Sequence, residues 1–167
     1  MPGSRHKERH AIAVPPKASD DLVWLLGRAY LNYVVLLQEL LETEGLADRV
    51  RPGMGHLLVA LFAEDGLTLS DLTARTSLAL SSVSEIVQRM EQAGLLKRER
   101  DSEDKRAVRV SLTGAGRRLE PRVRALVARL RGVLEDGFTA AEARQLRAGL
   151  SRVVRNLHEH LKSSDLP

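Results

Sequence analysis

Apolar positions return every three or four residues through most of this chain, broken by polar stops that divide it into helices. Leu22, Leu25, Leu26, Ala29, Tyr30, Tyr33, Leu37, Leu40 and Leu41 form the first such series. Ser19 is placed to cap this helix, Asp20 and Asp21 sit in its first turn, and Gly45 ends it. After Pro52-Gly53 a second helix is predicted over Met54–Ala63, closed by Asp65-Gly66. Thr68 and Asp71 have the spacing of a capping box, with Leu67 and Leu72 as its hydrophobic staple, which predicts a short helix over Leu69–Thr76. A turn then leads to a helix over Ser81–Ala93 stopped by Gly94, with Val83, Ile86, Val87 and Met90 as its buried stripe.

The period then changes from 3.6 to two. Val108 and Val110 alternate with Arg109 and Ser111, so Leu95–Arg100 and Ala107–Leu112 read as two strands around the polar turn 101–106. Thr113 is placed to cap a long helix reaching Glu135, with Leu119, Val123, Leu126, Leu130 and Val133 on one face. Thr139 and Glu142 open a last helix whose stripe is Leu146, Leu150, Val153, Leu157 and Leu161. The expected fold class is therefore mainly α with a small β-hairpin wing: a winged helix-turn-helix plus a helical dimerisation region. The expected domains are a flexible basic arm over 1–18, the dimerisation region over 19–50 and 114–163, and the winged helix-turn-helix over 51–113. The long helices are too apolar to be covered by one small unit, so a two-fold homodimer is expected to bury them.

Charge sharpens this picture. The net charge is only +4, but between Leu95 and Arg131 twelve basic side chains face five acidic ones, whereas residues 19–93 carry five basic and eleven acidic. A locally basic segment on a near-neutral protein is the footprint of a phosphate-binding face. The preference for Arg over Lys, 21 to 5, partly reflects coding bias. With no cysteine, disulfides, thiol catalysis and cysteine-ligated metal are excluded. His6 and His10 fall in the arm, and His158 and His160 point to different helix faces, so no metal site is expected. No phosphate-binding glycine loop, serine elbow or metal-binding His pair occurs, and neither an enzyme nor a cofactor is expected. No apolar run is long enough for a membrane span, and the first residues lack the apolar core of a secretory signal, so a cytoplasmic location is expected.

The segment RERDSEDKRAVRVSLTGAGR resembles the wing of the MarR family of bacterial transcriptional regulators. It carries the family's Asp-x-Arg pattern as Asp104-Lys105-Arg106, then a strand over Val108–Ser111 and the pair Leu112-Thr113. Upstream, Leu72-Thr73-Ala74-Arg75, Val83, Val87, Arg89-Met90-Glu91 and Gly94-Leu95 match the family's helix-turn-helix, so the likeness runs from about residue 67 to 118. The resemblance implies a DNA-binding transcriptional regulator, a homodimeric repressor of a pseudo-palindromic double-stranded operator. It also implies that Arg106 reaches into the minor groove, that Asp104 braces the wing and that Lys105 touches phosphate. Ser81, Ser82, Ser84, Glu85, Gln88 and Arg89 on the recognition helix, with Arg98 on the first strand, complete the expected DNA-facing set.

Two departures stand out. Ala79-Leu80 occupies the place of a capping residue, so the helix is expected to start only at Ser81. Glu85 stands where a basic residue is common, and is either a specificity determinant or a sign of weak DNA affinity. The resemblance further implies a small aromatic or amphipathic effector, for which Trp24, Tyr30, Tyr33, His56 and Phe62 are the candidate lining. The alternative function is a winged-helix dimer that binds another protein without specific DNA contact.

Overall fold

The structure, a computed structural model, describes residues 21–100 and 107–164. The expected arm (1–18), the cap Ser19, and Asp104, Lys105 and Arg106 of the wing turn lie outside the described residues. Chain contacts separate two units, Met1–Leu36 and Leu37–Pro167. In the first unit the described residues belong mostly to α1 (Leu22–Thr43), which continues into the second. Asp21 caps this helix, its carboxylate accepting the N–H groups of Val23 and Trp24 at 2.9 and 3.1 Å.

In the second unit the order is α2 (Met54–Ala63), β1 (Leu67–Thr68), α3 (Leu69–Thr76), α4 (Leu80–Gln92), β2 (Leu96–Arg100) and β3 (Val108–Leu112). Then come α5 (Gly114–Arg117), α6 (Glu120–Glu135) and α7 (Ala140–Ser164). The predicted span of α2 is met, and both capping boxes form. The Thr68 hydroxyl accepts from Asp71 N–H at 3.1 Å while the Asp71 carboxylate takes Thr68 N–H at 3.0 Å. Thr139 and Glu142 repeat the pattern at α7.

Three features depart from the expectations. The sheet has three strands in the order β1-β3-β2, because Leu67–Thr68 joins the hairpin antiparallel, pairing Leu67 with Val110. Two residues carry too little periodicity to show as a strand. Helix α4 starts at Leu80 rather than Ser81, with Ala79 at the cap position making no side-chain bond. The long helix expected after Thr113 is broken: α5 spans only Gly114–Arg117 and α6 begins at Glu120. Pro121 explains the break, since it has no N–H to give the Arg117 carbonyl and its ring crowds that carbonyl.

The core of this unit is built from α2, α3, α4 and the sheet. Leu57, Leu58, Leu61, Leu72, Val83, Val87, Met90, Leu95 and Val110 are fully buried. Helix α2 packs on α3, α4 and α6, and the inner face of α6 contributes Val123, Leu126 and Leu130. Each buried leucine supplies about 1.5–3 kcal/mol of transfer free energy. This core fixes which faces of α4 and the hairpin remain outside. By contrast Leu146, Leu150, Leu157 and Leu161 of α7 are exposed, as are Val133, Leu134 and Phe138 around the α6–α7 turn.

Candidate nucleic-acid interface

Helix α4 follows α3 after a short turn that Ser77 opens in the left-handed conformation, its φ at 55°. Val83, Ile86, Val87 and Met90 point inward, which turns Ser81, Ser84, Glu85, Gln88 and Arg89 outward, with Ser82 half-buried beside them. The uncapped start of α4 leaves its first N–H groups without intrahelical acceptors. Arg89 and Glu85, one turn apart, form a loose ion pair at 3.5 Å. The expected recognition residues therefore share one exposed polar surface.

The hairpin leaves α4 through Gly94, which takes a φ of 67° that suits glycine. In β2 only Leu96 is buried, and Lys97, Arg98, Glu99 and Arg100 are exposed. Arg98 is tied back to α4: its Nε donates to Glu91 Oε2 at 2.8 Å and its Nη2 lies 2.5 Å from the same oxygen. That guanidinium holds the Glu91 carboxyl below its ordinary pKa. Arg98 thus braces the strand against the recognition helix. Lys97 pairs with Glu99 at 2.6 Å on the same strand.

The far side of the sheet is anchored by residues that sequence reasoning missed. Asp65 accepts Leu112 N–H at 2.9 Å with one carboxylate oxygen and pairs with Arg117 at 2.5 Å through the other. Arg109 Nη1 donates to the Gly66 carbonyl at 2.9 Å. Thr113 caps α5 and its hydroxyl also donates to the Gly94 carbonyl at 2.7 Å. Asp65 read as a turn residue in sequence; only the pairing of β1 with β3 reveals it as an anchor.

The expected effector residues divide between the units. Trp24, Tyr30 and Tyr33 lie on α1 in the first, the first two exposed and Tyr33 half-buried. His56, exposed, and Phe62, half-buried, lie on α2 in the second. A different set, Ser70, Thr73, Ala74, Ser77, Leu80 and His158, lines an open cavity of about 360 Å³ beside the start of α4. Among the described residues no three metal-binding side chains come together, and no helix is long and apolar enough to cross a membrane.

A profile described as the MarR family matches residues 52–108, which run from the α1–α2 link through α4 and the hairpin. The HTH-type transcriptional regulator TtmR of Methylorubrum extorquens is 31% identical over 111 residues, 66% of this chain and 56% of that protein. The PcaV transcriptional regulator of Streptomyces coelicolor, solved with its natural ligand, superposes with a TM-score of 0.73 at 26% identity. That match covers 87% of this chain and 98% of PcaV. Residues 52–108 of this chain are a MarR-family domain.

CouR of Rhodococcus jostii RHA1, solved bound to p-coumaroyl-CoA, is similar at 26% identity and a TM-score of 0.68, over 81% of this chain and 93% of its own. The matched stretch thus spans little more than half of TtmR but nearly all of the two solved regulators. Within the MarR-family fold, the mostly helical chain with its small antiparallel sheet is a winged helix.

Proposed function

We propose that this MarR-family chain is a transcriptional regulator that binds a pseudo-palindromic DNA operator as a homodimer, acts as a repressor and is released by a small effector. The observation that carries the reading is the polar outward face of α4 beside a hairpin whose β2 exposes four charged side chains in a row. A helix of this kind enters the major groove with its first turns at the base edges. The uncapped N–H groups of α4 suit phosphate oxygens, which set the register. Arg106 then takes the minor-groove role and Lys105 a phosphate role, by resemblance to the family's wing.

The homodimer is supported by the apolar side chains that α7 and the α6–α7 turn leave exposed. The effector reading is supported by PcaV and CouR, each solved with a small molecule bound. The domain plan, a DNA-binding lobe over 51–113 and dimerisation helices over 19–50 and 114–163, belongs to the same proposal. A gel shift with the DNA upstream of the chain's own gene tests it. Retardation by the dimer supports the reading, and a purified, folded dimer that leaves every duplex unshifted at low salt favours the protein-binding alternative.

A further inference from the structure

Glu85 places a carboxylate in the middle of a surface that would face a polyanion, and general phosphate attraction leaves that unexplained. We propose that Glu85 reads a cytosine in each half-site and that Arg89 is the residue that positions it. The proposal rests on the DNA-binding reading above.

The geometry begins with the buried stripe. Val83, Ile86, Val87 and Met90 lock the rotation of α4, so the helix cannot turn Glu85 away from whatever its outer face meets. The Glu85 side chain keeps 69% of its surface exposed and, among the described residues, makes no hydrogen bond. Among the described residues its one ion-pair partner is Arg89, four residues on and 3.5 Å away, itself well exposed. A carboxylate offers about four acceptor positions, so Arg89 can offset its charge and leave acceptors directed outward.

The chemistry of the groove then selects the base. Cytosine presents only the N4 amino donor to the major groove, whereas guanine and thymine present acceptors that repel a carboxylate. Adenine pairs its N6 donor with the N7 acceptor, which suits an amide that both donates and accepts better than a carboxylate. Ser81 and Ser84, exposed on the same face, are short hydroxyls suited to phosphate. Glu85 is therefore the residue of this face whose chemistry excludes most bases.

The test is selection of binding sites from a randomised duplex library with the wild-type dimer, Glu85→Gln and Glu85→Ala, alongside their affinity for a fixed non-specific duplex. Wild type should return a cytosine at one position of each half-site. Glu85→Gln should exchange it for adenine, and Glu85→Ala should accept any base there, with operator affinity reduced roughly 5- to 150-fold. Arg89→Met should blur the cytosine preference without replacing it. Identical preferences in wild type, Glu85→Gln and Glu85→Ala overturn the proposal. So does tighter binding of Glu85→Ala to every duplex at unchanged preference, which would mark Glu85 as a phosphate repeller. Failure of the wild type to bind any duplex overturns the DNA reading itself, which separates the two.

Discussion

Gly116 of α5 is buried against the residue that leads into β2 and the end of β3, and a Cβ built there would lie 2.1 Å from the Leu95 carbonyl oxygen and 3.1 Å from Leu112 Cδ2. Backbone cannot yield as a side chain does, so Gly116→Ala should cost about 1–3 kcal/mol by overpacking. Urea unfolding checks this, and an unchanged midpoint would contradict the packing. The capping carboxylates give a pH dependence. Hydrogen bonds from the Thr139 hydroxyl and backbone N–H lower the pKa of Glu142, and those from Thr68 lower that of Asp71. Both groups are more acidic folded than unfolded, so their stabilisation is present above the unfolded pKa, about 4. It is lost as pH falls through the folded values. NMR titration of the two carboxyls should show midpoints below those of model peptides; ordinary midpoints would mean the caps are not formed in solution. At this scale sequence was informative where chemistry is local. The capping pairs and the outward set on α4 were legible, since a three-residue spacing and a helical period settle them. Asp65 was not, because its partners Leu112 and Arg117 lie 47 and 52 residues away.

Among the elements, the sheet depends most on contacts distant in sequence. Strand β3 is central, pairing with β2 from Leu96–Leu112 to Arg100–Val108 and with β1 at Leu67 and Thr68. Asp65 ties the end of β3 and the start of α5 to the turn before β1. Asp65→Ala should therefore speed hydrogen exchange at Leu112 N–H by tenfold or more while α2 amides keep their protection, a loss of about 1.5–3 kcal/mol for a bond to a charged group. Equal protection in the variant would show that the pairing alone holds the strand. Helix boundaries were readable to within a residue or two where a cap or glycine marks them. The break between α5 and α6 was not anticipated, although Pro121 was in view, because the apolar period of Leu119, Val123 and Leu126 runs on through it. Apolar periodicity reports a shared face, and a face can continue where the backbone hydrogen bonds do not.

For the molecule as a whole, the division is between a winged unit with a closed core and helices whose apolar faces remain open. Leu150 and Leu157 of α7 are each about half exposed, at 45% and 53%. Leaving such a stripe in water is unfavourable, and in the proposed homodimer a second copy of the chain covers it. Leu150→Glu with Leu157→Glu should shift the sedimentation coefficient from dimer to monomer at micromolar concentration while the helical circular dichroism persists; a dimer that survives both charges would place the interface elsewhere. The winged helix was legible in the sequence because the order of apolar periods and stops lays out its helices and hairpin, and the proposed homodimer rests on the same patterning. The open cavity beside α4 was not, because a cavity is assembled from distant elements and its lining, Ser70 to Leu80 with His158, bears no common motif. The central claim is that α4 and the hairpin meet duplex DNA mainly through phosphates, and the measurement that tests it most directly is the salt dependence of binding. Fluorescence anisotropy with the upstream duplex should give a line of log affinity against log salt, with a slope of about −0.9 for each phosphate neutralised, hence a loss of roughly 10³-fold or more between 50 and 200 mM for six contacts or more. A flat line, or no binding at the lowest salt, would contradict the account.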